Sequence, residues 1–247
     1  STLTNTTKTD IVTQLQKYNV ASVRPEIVDP ETTKILLTSN IKYDEKATTK
    51  TSTTLKSDVT TTITNYNTNT LSQFDGVFRF SKLSSLIDAT DNSILSNITT
   101  LKIRKDFTPT LGSSTKYNVY FRNALYNPHS GHNSSAGGIL ESSGFKISGD
   151  SSTVFYLDDD GQGNVRRYSF SGATRVYANE TQGTIDYSTG AITINSLSVL
   201  SVENIRGAAS TKIELTVKPD SNDVTPVRDQ ILEIDTANSS ITVTADT

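Results

Sequence analysis

Apolar positions along the chain switch between two spacings, and the switch organises the whole sequence. Leu55, Val59, Ile63 and Tyr66 recur at steps of four, four and three residues. Only a helix places that series on one face, so a helix is predicted over 48–74. The Thr content of this stretch opposes it, because β-branched side chains lower helix propensity, but the periodicity decides. Ile11, Leu15 and Tyr18 predict a shorter helix near the start, with Thr7, Thr9 or Asp10 as N-cap and an end before Pro25. Leu83, Leu86 and Ile87 predict another over 81–87. Elsewhere in the first half the spacing is two. Strands are expected over 34–43, over 117–121, and over 99–107, where Leu101 and Ile103 point inward while Lys102 and Arg104 face out. Arg24-Pro25 and Asp29-Pro30 add two extended steps around 26–28, since the residue before proline is pushed out of the helical region.

Beyond a turn-rich stretch at 127–138 only strand signals follow. Segments 155–157 and 165–170 flank a polar turn at 158–164, and 184–187 and 191–195 flank 188–190, so both read as β-hairpins. Residues 212–218 alternate, with Ile213, Leu215 and Val217 on one face, until Pro219 stops them. In the tail, Ile231, Leu232, Ile234, Ile241 and Val243 surround a turn at 237–240, as a hairpin or as strands pairing elsewhere. The expected fold class is therefore α+β: a mixed α/β unit over 1–124, followed by a mostly antiparallel β region over 125–247.

Composition narrows the chemistry more than the fold. Met, Cys and Trp are absent. The missing Met, a start at Ser1 and the lack of a charged leader or A-x-A-like scar over 1–9 make the chain read as a module of a larger protein. Without Cys there is no disulfide framework, thiolate zinc site, iron–sulfur cluster or cysteine nucleophile. A net charge of −3 with acids and bases interspersed provides no basic footprint for nucleic acid and no polybasic membrane patch. No apolar run is long enough to span a bilayer as a helix. The bias towards Thr, Ser and Asn favours strands and turns with polar faces over a helical enzyme.

Few residues could carry catalysis or a metal. Asp158, Asp160, Gln162 and Gly163 fall at positions one, three, five and six of a calcium-loop pattern, but position twelve is Ser169 where a bidentate Glu is needed. Asp158 and Asp160 thus remain a weak metal candidate, and a tight acidic turn with Gly161 and Gly163 at positive φ is the preferred reading. His129 and His132, the two histidines, lack a recognisable third ligand and read as solvated loop residues. No G-x-S-x-G elbow is present, and neither Gly137-Gly138 nor Gly161-x-Gly163 leads into a helix with a Lys, as a phosphate loop would. Asn97, Asn133 and Asn179 lie in sequons expected by chance in so Asn- and Thr-rich a chain. A carboxylate pair for glycoside hydrolysis stays open, because its geometry is spatial, although few aromatics and no Trp speak against a sugar-stacking cleft; no cofactor is expected.

Four blocks then resemble one family in one order. They are Tyr18 to Pro30 with Ile41-Lys42-Tyr43-Asp44; Phe78-Arg79-Phe80-Ser81-Lys82-Leu83 with Ile87-Asp88; Tyr156-Leu157-Asp158-Asp159-Asp160-Gly161; and Val227-Arg228-Asp229-Gln230-Ile231-Leu232-Glu233-Ile234. The hairpin over 183–194 fits as well. Together they resemble the C-terminal half of the baseplate wedge proteins of T4-like contractile-tailed phages, related to the baseplate J family. The resemblance implies a structural virion protein of the tail baseplate, assembled in the host cytoplasm. It also implies a homodimer in each wedge, contacts with other wedge proteins and neighbouring wedges in a ring around the hub, and no catalytic residues. Neither nucleic acid nor a membrane is an expected partner. A β-rich tail or surface adhesin that binds carbohydrate is the alternative, and a packed core is the expected place for Phe74, Phe78 and Phe80.

Overall fold

The computed structural model describes residues 3–18, 23–132, 138–227 and 229–246. Sequence readings at 19–22, Asn133, Gly137 and Arg228 lie outside them. The chain forms two compact units, Ser1–Glu31 and Thr32–Thr247.

The first unit holds one helix, α1 (Asn5–Gln16), none of whose side chains is buried. Its N-cap is Thr4, not Thr7, Thr9 or Asp10: Thr4 is extended, and its Oγ1 accepts the Thr7 amide at 3.2 Å. Thr9 is already inside the helix, with its hydroxyl bonded back to the Asn5 carbonyl. Lys8 pairs with Asp29 within the unit.

The second unit contains a mixed sheet and a β-barrel. The sheet comprises β1 (Glu31–Tyr43), β2 (Ile94–Phe107), the two-residue β4 (Glu141–Ser142), β10 (Ile213–Val217), β11 (Gln230–Ile234) and β12 (Ser240–Ala245). Their order is β11-β1-β2-β10-β4, with β12 lying parallel along the second half of β1. The tail strands therefore do not form a hairpin with each other; both pair with β1 at the other end of the chain. Ile35, Leu37, Ile41, Leu101, Ile103, Ile213, Leu215 and Val217 line the buried face. Over that face lie α2 (Ser52–Tyr66), packed on β12, and α3 (Phe80–Asp88), packed on β2.

Helix α2 forms as its spacing predicts, with Leu55, Val59, Ile63 and Tyr66 buried. It starts at the Thr51 cap and ends in a π-helical turn, Asn67–Leu71, short of the expected 74. Beyond the turn Phe74 is exposed, while Phe78 is buried and Phe80 packs against the core. The expectation of a packed core thus holds for two of the three.

The barrel uses β3 (Ser114–Tyr120), β5 (Phe145–Ile147), β6 (Asp150–Asp159), β7 (Asn164–Ser171), β8 (Thr174–Asp186) and β9 (Ala191–Val202). Their order is β3-β9-β5-β6-β7-β8, and β8 returns to pair with β9, which closes the ring. Both expected hairpins are present, as β6–β7 and β8–β9. At the second, a Cβ on Gly183 would lie 2.0 Å from the Thr193 carbonyl oxygen, so the strands approach closely only because position 183 is glycine. Strands from before and after residue 124 share both sheets: β1 and β2 with β4, β10, β11 and β12, and β3 with β5–β9.

Candidate functional site

The acidic run at the end of β6 is the first place to look for chemistry, and the strand pleat sends its members apart. Asp158 is fully buried on one face. Its Oδ1 lies 2.9 Å from Arg166 Nε, and its Oδ2 receives Arg175 Nη1 at 2.7 Å and the Tyr177 hydroxyl at 3.0 Å. Asp159 points the other way, accepting the Leu140 amide at 2.8 Å and the Tyr187 hydroxyl at 2.6 Å. Its room is made by Gly138, where a Cβ would sit 1.6 Å from Asp159 Oδ1. Asp160 closes the turn by accepting the Gln162 and Asn164 amides at 2.8 and 3.0 Å, over Gly161 and Gly163 at φ of 72° and 105°.

Electrostatics follow these partners. Burial opposes the Asp160 charge, but hydrogen bonds from Asn164 and Gln162 outweigh it and hold the carboxyl below its usual range. Burial and the facing carboxylates push Tyr177 and Tyr187 upward. Asp158 and Asp160 therefore do not converge on a common point, and among the described residues no group of three or more His, Cys, Asp or Glu is placed to hold a metal. Ser169 stands in β7 opposite Phe155.

His129 and His132 are exposed and meet each other, with Nε2 of the first 3.1 Å from Nδ1 of the second. Their loop is tied to the acidic turn by the Gly131 amide and by Asn127 Nδ2, both bonded to the Gly161 carbonyl. Among the sequon residues, Asn97 donates to Ser84 and Asp88, and Asn179 accepts from the Thr181 amide.

Two constellations escape a reading of single segments. On the outer face of the mixed sheet, the Arg104 side chain is only 4 % exposed, against the expectation that it faces solvent. Its guanidinium lies 3.1 Å from Asp106, 3.3 Å from Glu214 and 3.0 Å from Asp235. Lys34 approaches Asp235 at 3.9 Å, and Arg206 grips Glu214 at 2.8 Å. Three cations thus balance three carboxylates contributed by β1, β2, β10 and the segments after β9 and β11. Register brings them together: Lys34 and Thr216 flank Arg104, and Glu214 faces Asp106. Alternation alone puts Arg104 on the outer face correctly; that the face is closed over there depends on strands more than a hundred residues away.

The second constellation is aromatic. Tyr156, Tyr168 and Phe170 meet at centroid separations of 5.4 to 5.7 Å, and Tyr177 joins Tyr168 at 5.9 Å. Arg166 lies over Tyr177 at 4.2 Å and Arg175 over Tyr168 at 4.6 Å, the same two guanidiniums that hold Asp158. These contacts tie β6, β7 and β8 together beside a half-exposed Phe170. The Tyr168 and Phe170 spacing of two is the signal that could have revealed it.

No curated protein matches the chain. Residues 34–106, a little under a third of the sequence, match the family model described as baseplate structural protein gp6, C-terminal domain III. That stretch covers α2, α3 and most of β1 and β2, the centre of the mixed sheet and its helical cover. Its similarity to a phage baseplate structural protein supports a virion tail component with a non-enzymatic role among other baseplate components.

Proposed function

We propose that the chain is a wedge component of a contractile-tail baseplate, assembled in the host cytoplasm, which pairs with a second copy and links wedge to wedge around the hub. The match over 34–106 carries this reading, because it falls on the sheet-and-helix layer that organises the second unit. The ordered resemblance blocks extend it towards both ends of the chain. A part of this kind works by holding surfaces at fixed angles, and the buried ionic clusters and the contacts tying β6, β7 and β8 together suit that role. Cross-linking of intact particles followed by peptide mapping tests it. Links from this chain to its own copies and to other wedge proteins are expected. A chain that stays monomeric in isolation and is linked only to sheath or tube proteins would refute the wedge assignment.

A further inference from the structure

Strand β7 carries two neighbouring arginines whose surroundings differ. Arg166 lies 2.9 Å from Asp158, and Arg104 and Arg175 likewise have carboxylates beside them. Arg167 has none. Among the described residues it makes no hydrogen bond and no ion pair, and its Nε is buried without a partner. Burial alone pulls its pKa below the ordinary arginine value, and no nearby carboxylate raises it back. A guanidinium withdrawn from water is normally paired, because desolvation costs the charge its solvent shell.

Alternation turns Arg167 to the inner face of the barrel. It stands opposite Leu157 of β6, and its guanidinium lies 5.2 Å from the Phe155 ring centroid. On its other side it faces Asn179 of β8, and the β7–β8 register shifts both before and after that pair. Such irregularities bend a strand and re-aim the side chains beside it. The barrel wall also ends here. Strand β8 pairs with β9 only over 183–186; its earlier residues pair with β7, while β9 beyond Ile194 pairs with β3 and β5. A gap therefore opens between β8 and β9 at Gln182, whose side chain spans its start by donating to the Asn195 carbonyl and accepting from Asn179 Nδ2. Arg167 is partly exposed, so with Nε buried it is the Nη end that reaches solvent.

Two properties of this place select a ligand. The Nη groups form a planar fork that matches a carboxylate through paired N–H···O bonds, and the buried stem already holds the fork, so little side-chain freedom is lost on binding. Phe155, Ser169 and the half-exposed Val176 share the same face. An apolar border suits an anion carried on a carbon chain better than a strongly hydrated inorganic ion. We infer that Arg167, beside the gap between β8 and β9, is a binding site for a carboxylate, supplied by a small organic acid or by an acidic side chain of a neighbouring protein. The site is read from the surroundings of Arg167 and stands apart from the wedge assignment.

Thermal unfolding of the 247-residue chain tests it, with butyrate as the probe at constant ionic strength and inorganic phosphate as the comparator. A ligand held only by the folded state multiplies the folded-to-unfolded ratio roughly elevenfold at about ten times its Kd. Wild type should show a saturable rise in melting temperature with butyrate, larger than with phosphate, and Arg167→Met should show none. In chloride alone Arg167→Met should melt close to wild type or above it, since an apolar stem replaces an uncompensated charge. The second arm uses Arg167→Lys in intact particles treated with a carbodiimide, which joins an amine to a carboxylate as an amide with loss of water. An amide mapped from position 167 to an Asp or Glu of another protein identifies the side-chain source, and a butyrate response without it identifies the free acid. Neither signal, an equal butyrate response in Arg167→Met, a phosphate response that exceeds the butyrate one, or a melting temperature that falls as far for Arg167→Met as for Arg104→Met overturns the site.

Discussion

Replacing Arg104 with Met isolates the energetics of the ionic cluster on the mixed sheet. The substitution keeps the bulk of the stem and removes the charge. Asp235, Glu214 and Asp106, whose side chains are 7, 14 and 20 % exposed, then keep Lys34 and Arg206 as their cations among the described residues. Removing one member of a buried ion pair costs roughly 3–5 kcal/mol. The lower end applies here, because Arg104 Nε and Nη1 make close ion pairs but no well-aligned hydrogen bonds. A loss of about 3 kcal/mol at pH 7 corresponds to a drop of roughly 6–12 °C in melting temperature for a unit of this size.

The pH dependence separates this cause from a packing defect. Burial works against the Asp235 charge, but Asn238, Arg104 and Lys34 outweigh it and hold its carboxyl below the usual range. A depressed native pKa contributes stability above the unfolded carboxylate value near ~4, and that contribution is lost as pH falls through the native value. Without Arg104 the carboxylates repel one another and gain by protonation. The gap between wild type and variant should therefore narrow from pH 7 to about pH 4. Chemical unfolding at both pH values measures it. A gap under ~1 kcal/mol, or one that does not change with pH, would refute the reasoning.

Asp158→Asn leaves Arg166 and Arg175 around a neutral partner; a loss of about 3 kcal/mol is expected, together with easier ionisation of Tyr177, read by phenolate absorbance in an alkaline titration. In wild type, Tyr168, Tyr177 and Tyr187 resist ionisation, so the stability they contribute is present below about pH 10 and declines above it. Gly183→Ala should disrupt the β8–β9 closure and lower the melting temperature, whereas Ala at Asn179 or Thr181, outside the close approach, should do much less. Ile63→Ala, at a fully buried position on α2, should cost about 2–5 kcal/mol in chemical unfolding. Calcium titrated into the chain should release no heat, because Asp158 and Asp160 face different partners; a stoichiometric heat would return the acidic turn to consideration as a metal site.

Most elements were legible as elements. Spacings of four, four and three in α2, and of two in β2 and β10, report which side chains share a face, and the structure buries those side chains. The bland reading of the acidic turn was legible too, since Asp and Gly placed in that order close a local loop. The end of α2 was not: Thr and Asn continue past Tyr66 without a local stop, and the π-helical turn there is fastened to β11.

By itself the sequence determined periodicity, turn chemistry and the scarcity of catalytic groups, because each depends on residues within a few positions of one another. Tertiary structure decided what those elements meet. The parallel pairing of β1 with β12, the pairing of β5 with β9, and the burial of Arg104 all join segments whose mutual register no local pattern encodes. The same charged residue on a strand is solvated or buried according to which distant strand closes over it. Long-range register therefore decided the ionic cluster around Arg104.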